Sequence, residues 1–254
     1  GAAVSMVKLH VPFPVCFGVG GLVSALLALI LGVPVLRLRG HYFAIATLGV
    51  LSAMQQVVAN TDRLTGGGAG LSLPLPSLDV QTFDQVIYWI MLAVLLAVTG
   101  FTFWMSRSRL GYGLIAIREN EVAARVMGIN TTKYKVIAFV LSGLFSGFAG
   151  ATYAYWRSSI DPAVAFDFQY NVLLVIMAFF GGAGTVLGPI LGALILGVIS
   201  EWLRNALVQY HLLVFGVVIV LTVIFAPTGL MEYLGGRRRF SLVSLLENIR
   251  EHSV

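Results

Sequence analysis

Long apolar runs separated by short polar segments dominate this chain. A transmembrane helix needs about 20 consecutive apolar residues to cross the hydrocarbon core of a membrane. Runs of roughly that length lie at 13–36, 41–60, 86–105, 136–156 and 211–226. The pattern therefore predicts an all-α protein, built as a polytopic bundle of transmembrane helices.

A further apolar segment, 171–200, is long for one crossing and short for two. Gly181, Gly182 and Gly184 interrupt it near the middle. Non-helical backbone at membrane depth is tolerated only where protein surrounds it or where it lines a cavity. We therefore predict a helical hairpin that folds back at these glycines.

Composition supports a membrane protein: 58% of the 254 residues are hydrophobic and only 11% are charged. Soluble domains carry about 25% charged residues, which is more than twice this share. The single cysteine, Cys16, excludes an internal disulfide framework and a multi-cysteine metal site. The net charge of +5 does not indicate a nucleic-acid partner, because the basic residues lie between apolar runs rather than on one soluble face.

The distribution of basic residues predicts the orientation in the membrane. Segment 106–135 carries six Lys and Arg against two Glu, so the positive-inside rule places it in the cytoplasm. Alternate crossings then put loop 61–85 outside and, with a two-pass hairpin, keep 231–254 inside. Twelve of the 16 basic residues fall inside by this topology, and all five aspartates fall outside. We predict one transmembrane domain, 1–230, and a cytoplasmic basic tail, 231–254, whose arginines contact anionic lipid or simply fix the topology.

None of the apolar runs contains an Asp, Glu, Lys or Arg. Ion-coupled transporters generally keep such a group at membrane depth. The chain is therefore expected either to depend on an external motor or to act as a passive channel. It also lacks a nucleophile with a base and an orienting group, a nucleotide-binding loop and a metal-ligand spacing, so we expect no catalytic residue and no metal site.

Some polar or backbone-exposing residues at membrane depth are candidates for a translocation pathway. They are Tyr42, Thr47, Gln55, Gln56, Gly181, Gly182, Gly184 and Thr185. The alternative for each side chain is a structural hydrogen bond to a neighbouring helix.

Span 136–156 carries two overlapping ridges of small residues. Gly143 and Gly147 form one ridge, and Ser142, Ser146 and Gly150 form the other. Small residues at four-residue spacing allow two membrane helices to approach closely. Such a contact is either static or able to slide during transport.

The cytoplasmic segment contains an amphipathic stretch, 107–130, with apolar residues at helical spacing. These residues are Leu114, Ile117, Val122, Val126 and Ile129. A short helix of this kind lies on the membrane surface or inserts into a groove of a cytoplasmic partner. Gly128 is expected to end it in the left-handed conformation.

Several motifs, in order along the chain, resemble one family. They are RLRG at 37–40 with the following HYFAIATLG, TGGGAGLS at 65–72, RENEVAARVMGIN at 118–130 with TKYKVIAFVLSG, GFAGATYA at 147–154, GGAGTVLGPILGA at 181–193 and FAPTGL at 225–230. Together they resemble LivM-type permeases, the membrane subunits of bacterial ABC importers for branched-chain amino acids. The resemblance runs from about residue 37 to 239.

The resemblance implies a multi-pass subunit of the bacterial cytoplasmic (inner) membrane that works by alternating access. Its implied partners are a LivH-like permease subunit in a heterodimer, two cytoplasmic ABC ATPase subunits, a periplasmic or lipid-anchored substrate-binding protein, and membrane lipid. ATP and Mg belong to the ATPases, so no cofactor is implied for this chain. It also implies further helices before residue 1. Urea or short amides remain alternative substrates, and a passive channel or ion-coupled carrier remains an alternative class.

The resemblance assigns contact with the ATPase to a short coupling helix at 118–128. The residues implied are Arg118, Glu119, Asn120, Glu121, Ala123, Ala124, Met127 and Gly128. One departure concerns the spacing: the general importer loop has a glycine six residues after the Glu of Glu-Ala-Ala. Here Val122 is inserted, so Gly128 follows Glu121 by seven residues.

Overall fold

The computed structural model describes residues 1–206 except 39, 75–78 and 183, together with 216, 217 and 231. Five helical stretches in these described residues are long and apolar enough to cross a membrane: Phe13–Val35, His41–Ala59, Val80–Ser106, Thr131–Arg157 and Pro162–Gly181. The chain divides into two compact units, Gly1–Asp167 and Phe168–Val254. The predicted span 211–226 and the tail 231–254 lie outside the described residues apart from 216, 217 and 231.

The first unit is almost entirely helical. Its elements are α1 Ala2–Leu9, α2 Phe13–Val35, α3 His41–Ala59, α4 Asp62–Thr65, a 3₁₀ turn Gly67–Ala69, β1 Leu71–Ser72, α5 Val80–Ser106, α6 Arg109–Glu119, α7 Glu121–Val126, α8 Thr131–Arg157, β2 Ser159–Ile160 and α9 Pro162–Ala165. Helices α2, α3, α5 and α8 cover the first four predicted runs. Helices α5 and α8 begin five or six residues earlier than those runs, because a helix continues into the polar membrane interface where hydropathy no longer marks it.

Helices α2 and α8 pack against each other with almost no side-chain layer between them. A Cβ atom at Gly147 would lie 2.6 Å from the carbonyl oxygen of Gly20, and one at Gly143 would lie 2.7 Å from Ala28 Cβ. Gly20 in turn faces Ala151, because a Cβ there would be 2.9 Å from the Ala151 Cβ atom. The glycine ridge predicted from the sequence is therefore the contact surface of α8 for α2.

Aromatic side chains extend this contact towards the end of α8 and onto α5. Phe17 stacks on Phe148 with a centroid distance of 4.7 Å, and Phe13 stacks on Tyr155 at 4.4 Å. Trp156 donates a hydrogen bond from Nε1 to Asp84 Oδ1 at 3.2 Å, which links α8 to α5. Stacked and edge-to-face pairs of this kind add about 0.5–1.5 kcal/mol each beyond the area that they bury.

The segments between the long helices at this end form a small cap, which we define as α1, β1, β2 and α9. Strands β1 and β2 pair antiparallel, with Leu71 opposite Ile160 and Ser72 opposite Ser159. Leu73, which follows β1, is buried in a small core with Met6 of α1 and Cys16 of α2. The all-α prediction holds, but this two-residue ladder was not anticipated from the sequence.

The second unit contains the predicted helical hairpin. Helix α10 spans Phe168–Gly181 and α11 spans Gly188–Ala206, so the break falls at the predicted glycines. The Gly181 and Gly188 backbones touch, and the Thr185 hydroxyl donates to the Gly182 carbonyl at 3.0 Å and accepts from the Gly188 N–H at 3.0 Å. Although Pro162–Gly181 has the length of a span, the chain leaves the helix at Phe166 and Asp167. The 14 residues of α10 extend only about 21 Å, less than the roughly 30 Å hydrocarbon core.

Candidate translocation and coupling sites

Two adjoining cavities lie between α2, α3 and α8. The first, which we call the helix cavity, has a volume of about 370 Å³ and is walled by the middle of these three helices. The second, which we call the cap cavity, also has a volume of about 370 Å³ and lies under α1, β1, β2 and α9. Four residues line both cavities: Ser24, Leu27, Ser146 and Phe166. The cavities therefore form one elongated space along α8.

The walls of both cavities are mainly aliphatic. Leu31, Val50, Leu51 and Met54 contribute to the helix cavity, and Val23, Val58 and Leu71 contribute to the cap cavity. No Lys, Arg, His or Glu lines either cavity within the described residues, where Asp161 of the cap cavity is the one ionisable side chain. Such a space suits a small solute that is largely apolar.

Only one of the predicted pathway residues lines these cavities. Thr47 belongs to the wall of the helix cavity. Tyr42 is 75% exposed at the start of α3. Gln55 and Gln56 lie near the end of α3 outside both linings, and Gln56 accepts a hydrogen bond from Asn60 at 2.8 Å through its backbone carbonyl.

The other four predicted pathway residues, Gly181, Gly182, Gly184 and Thr185, belong to the hairpin of the second unit. Their assignment to a pathway stays a prediction. Sequence reasoning missed Ser24 and Phe166 as cavity residues. Ser24 offered one weak signal, since it is the hydroxyl-bearing residue within the apolar run 13–36.

The amphipathic stretch 107–130 forms two helices, α6 and α7, rather than the one helix expected over 118–128. The chain breaks at Asn120, whose backbone is extended at φ −157° and ψ 106°. Asn120 Oδ1 accepts hydrogen bonds from the N–H groups of Val122 and Ala123, both at 3.0 Å. The prediction of a continuous helix was wrong because an asparagine that caps a new helix outweighs the apolar periodicity that runs through it.

Side-chain contacts join helix α7 to the beginning of α8. Glu121 forms ion pairs with Lys135 at 2.9 Å and with Arg125 at 3.4 Å, and Arg125 also donates to the Thr131 hydroxyl at 3.4 Å. The connecting turn contains Gly128 at φ +84°, the left-handed conformation expected from the sequence. Helix α7 and the start of α8 are therefore linked by one ion pair and one hydrogen bond as well as by a short turn.

The coupling candidates divide into buried and exposed side chains. Ala124 is only 4% exposed, so its methyl group packs against the protein, whereas Ala123 and Met127 are exposed. Arg118 and Glu119 pair with each other at 2.8 Å on the surface. The exposed side chains also include Val122 and Val126, which are not among the predicted coupling residues. We call Val122, Val126 and Met127, which are 66%, 82% and 82% exposed, the α7 face.

Asn120→Ala is expected to loosen α7 without affecting the long helices. Loss of an asparagine N-cap costs about 1 kcal/mol, which corresponds to a roughly fivefold larger population of the opened helix. Hydrogen exchange of the amides at 121–126 measures this change, and Asn120→Asp, which retains the capping oxygen, is the matched control. Equal exchange rates in the alanine variant and the parent would show that the cap does not hold α7.

Long apolar helices around an elongated, mainly apolar cavity define a membrane transport protein. Within the described residues, no group of three or more His, Cys, Asp or Glu is placed to hold a metal ion. The chain belongs to the family of permease components of branched-chain amino acid transport systems, whose model matches residues 1–223. The predicted location, a multi-pass protein of the bacterial inner membrane, agrees with this family and with the five apolar helical stretches.

The relatives that match this chain are named as permeases for more than one class of solute. The high-affinity branched-chain amino acid permease proteins LivM of Salmonella typhimurium and Escherichia coli are 34% and 32% identical over 245 residues, 86% of this chain. The ribose import permease RbsC of Haemophilus influenzae is 26% identical over 93% of this chain and 74% of that protein. The arabinose permease AraH of Azospirillum brasilense is 28% identical over 74% of this chain and 56% of that protein.

The matched region covers 57% of each LivM protein, so the chain spans little more than half the length of these relatives. No solved structure matches the chain. The named relatives are transport permeases, which agrees with the prediction of a transport subunit rather than an enzyme.

Proposed function

We propose that this chain is a membrane subunit of an ATP-driven importer that takes up branched-chain or other hydrophobic amino acids. The observation that carries the proposal is the elongated cavity along α8, which has mainly aliphatic walls and no Lys, Arg, His or Glu among its described lining residues. A leucine, isoleucine or valine presents an aliphatic side chain to such walls. The two LivM relatives support the same substrate class.

The α7 face is the proposed docking surface for a cytoplasmic ATPase. Val122 and Val126 of α7, with Met127 at its C-terminal cap, are exposed apolar side chains, and helix-in-groove binding requires a few such anchors to enter a partner's groove. The ion pair between Glu121 and Lys135 would transmit a displacement of α7 to α8. Because α2 and α8 touch backbone to backbone, α2 would move together with α8, and α3 would form the wall against which they rock.

The remaining partners follow from the same proposal. A second, LivH-like permease would complete the membrane dimer, two ATPases would supply ATP and Mg, and a binding protein would deliver substrate at the cap. Membrane lipid surrounds the spans. This chain itself binds no cofactor under the proposal. The proposal also assigns 1–230 to one transmembrane domain and places 106–135 in the cytoplasm.

Pentose import is the second candidate, because ribose and arabinose permeases also match much of the chain. Uptake of radiolabelled leucine and of ribose by proteoliposomes that contain the whole transporter distinguishes the two. Leucine uptake that stops when the ATPase is inactivated supports the proposal. Uptake that continues without ATP hydrolysis contradicts the importer and favours a passive channel or carrier.

Val126→Asp is expected to uncouple uptake from ATP hydrolysis. A carboxylate at the centre of an apolar docking surface must be desolvated without a partner, and central interface residues of this kind cost about 2 kcal/mol or more, equivalent to roughly 30-fold weaker binding. Leucine uptake and retention of the ATPase on washed membranes measure the effect. Val126→Leu keeps the surface apolar and should retain both. Normal ATPase retention in Val126→Asp would place the docking surface elsewhere.

A further inference from the structure

Half of the polar side chains that line the two cavities, three of six, are engaged by the protein itself. Thr47 donates its hydroxyl to the Ala44 carbonyl at 2.8 Å, and Thr65 donates to the Val58 carbonyl at 2.6 Å. Asp161 accepts the Val164 N–H at 2.8 Å as the N-cap of α9. Hydrogen bonds within the protein therefore already use part of the capacity of these groups to bind a solute.

Three serines on the same walls differ from this pattern. Ser24 lies on α2, and Ser142 and Ser146 lie one turn apart on α8. Among the described residues, none of these three hydroxyls takes part in a hydrogen bond, whereas Thr99, Thr102 and Thr152 on the spans bond to the preceding helical turn. Ser24 is half-buried, and Ser142 and Ser146 are exposed on the cavity walls, so each hydroxyl is accessible to a solute and can donate or accept.

The positions of these serines follow from the close contact of α8, through Gly143 and Gly147, with α2. A Cβ at Gly147 would lie 2.6 Å from Ser24 Cβ, so the absence of a side chain at 147 brings Ser24 close to α8. Gly143 and Gly147 face α2, and the residues that precede them, Ser142 and Ser146, are rotated by about 100° around the helix axis. That rotation turns Ser142 and Ser146 to the cavity side.

We propose that Ser24, Ser142 and Ser146 bind the charged end of a small aliphatic amino acid as it passes from the cap cavity to the helix cavity. This proposal rests on the function proposed above and names the residues that determine specificity within it. A serine hydroxyl donates to a carboxylate and accepts from an ammonium, so one residue type serves both charges of the zwitterion. Ser24 and Ser146 line both cavities, which places them where the solute crosses between the two.

The same arrangement discriminates against pentoses. A pentose carries hydroxyl groups over its whole surface, and each one left without a partner in an apolar cavity is penalised. Three uncommitted serines cannot satisfy such a molecule while Leu27, Leu31 and Leu51 form the remaining wall. An aliphatic amino acid instead concentrates its polar groups at one end.

Cysteine labelling in membranes that hold the whole transporter tests the route directly. Ser146→Cys is treated with the thiol reagent methanethiosulfonate ethyltrimethylammonium, with and without L-leucine or D-ribose. The parent chain, whose Cys16 is buried at 1% exposure, is the blank. We expect labelling of Ser146→Cys that leucine slows and ribose does not. Protection by ribose alone, or no labelling while leucine uptake is intact, overturns the proposal.

The double variant Ser24→Ala with Ser146→Ala tests the energetic role. Losing hydrogen bonds to charged groups should lower kcat/KM for leucine about tenfold or more. The unfolding temperature of the purified complex should stay that of the parent, which a structural defect would not allow. Ser52→Ala is the matched control, since Ser52 is an exposed serine of α3 outside both cavity linings. Unchanged kcat/KM in the double variant refutes the serine role, whereas a parent transporter without ATP-dependent leucine uptake refutes the proposed function itself.

Discussion

Gly147→Leu is expected to break the contact between α2 and α8 and to remove most of the folded chain from the membrane. Even the Cβ atom of an alanine at 147 would lie 2.6 Å from the Gly20 carbonyl oxygen and 2.8 Å from Gly21 Cα. Both of these are backbone atoms, which cannot rotate away as a flexible side chain would. Overpacking costs about 1–3 kcal/mol and occasionally more, and a leucine that forces two helices apart belongs at the upper end. Thermal unfolding and yield of the detergent-purified complex measure the loss.

Gly100→Leu provides the matched control for this substitution. Gly100 also lies within a long apolar helix, α5, but a Cβ built on it meets no atom within 4 Å. The same change of residue therefore adds equal volume to a membrane helix without a clash within the chain. We expect Gly100→Leu to unfold at the parent temperature. Equal unfolding temperatures for Gly147→Leu and Gly100→Leu would contradict the packing of α2 against α8.

The long helices could be predicted because the membrane imposes a length and a composition on them. The runs 13–36 and 41–60 match α2 and α3 within one residue at each end. The start of α8 at Thr131 could not be located by hydropathy, since Lys133 and Lys135 are polar residues in a helix that has already left the hydrocarbon. The hairpin was predictable as well, because glycines in the middle of an apolar segment indicate a break.

The irregular parts depend on single residues and on pairings that periodicity does not reveal. Asn120 ends one helix and begins another through two hydrogen bonds, although apolar residues continue at helical spacing on both sides of it. The ladder between Leu71–Ser72 and Ser159–Ile160 joins segments that are almost 90 residues apart in the sequence. Two-residue strands have too few positions to show an alternating pattern.

The cavity walls were only partly predictable for a geometric reason. Whether a small residue on α8 packs or lines a cavity depends on how the helix is rotated about its axis. The sequence presents Gly143–Gly147 and Ser142–Ser146 as equivalent ridges of small residues. In the structure Gly143 and Gly147 pack against α2 and also border the cavities, whereas Ser142 and Ser146 are turned to the cavity side, and no local signal in the sequence distinguishes the two ridges.

A disulfide across the cap is expected to stop transport reversibly. Ser72 and Ser159 face each other on β1 and β2, and both side chains are exposed. The Leu73 N–H donates to the Ser158 carbonyl at 2.8 Å, so the neighbouring pair 72 and 159 is the non-hydrogen-bonded one. Cα atoms of such a pair are about 4.5 Å apart, within the range of about 4.4–6.8 Å that a disulfide needs. The double variant Ser72→Cys with Ser159→Cys should therefore oxidise readily.

The expected loss of uptake follows from what lies beneath the ladder. Leu71 and Ile160, the alternate residues of the two strands, line the cap cavity, while the serines point to the opposite side. The disulfide therefore holds β1 and β2 together over the cap cavity without entering it. If substrate enters through the cap, oxidised protein should take up leucine only at background level, and dithiothreitol should restore uptake. Each single cysteine variant should transport normally. Full uptake with a disulfide verified by its mobility on a non-reducing gel would show that the ladder stays closed throughout the cycle and that substrate enters elsewhere.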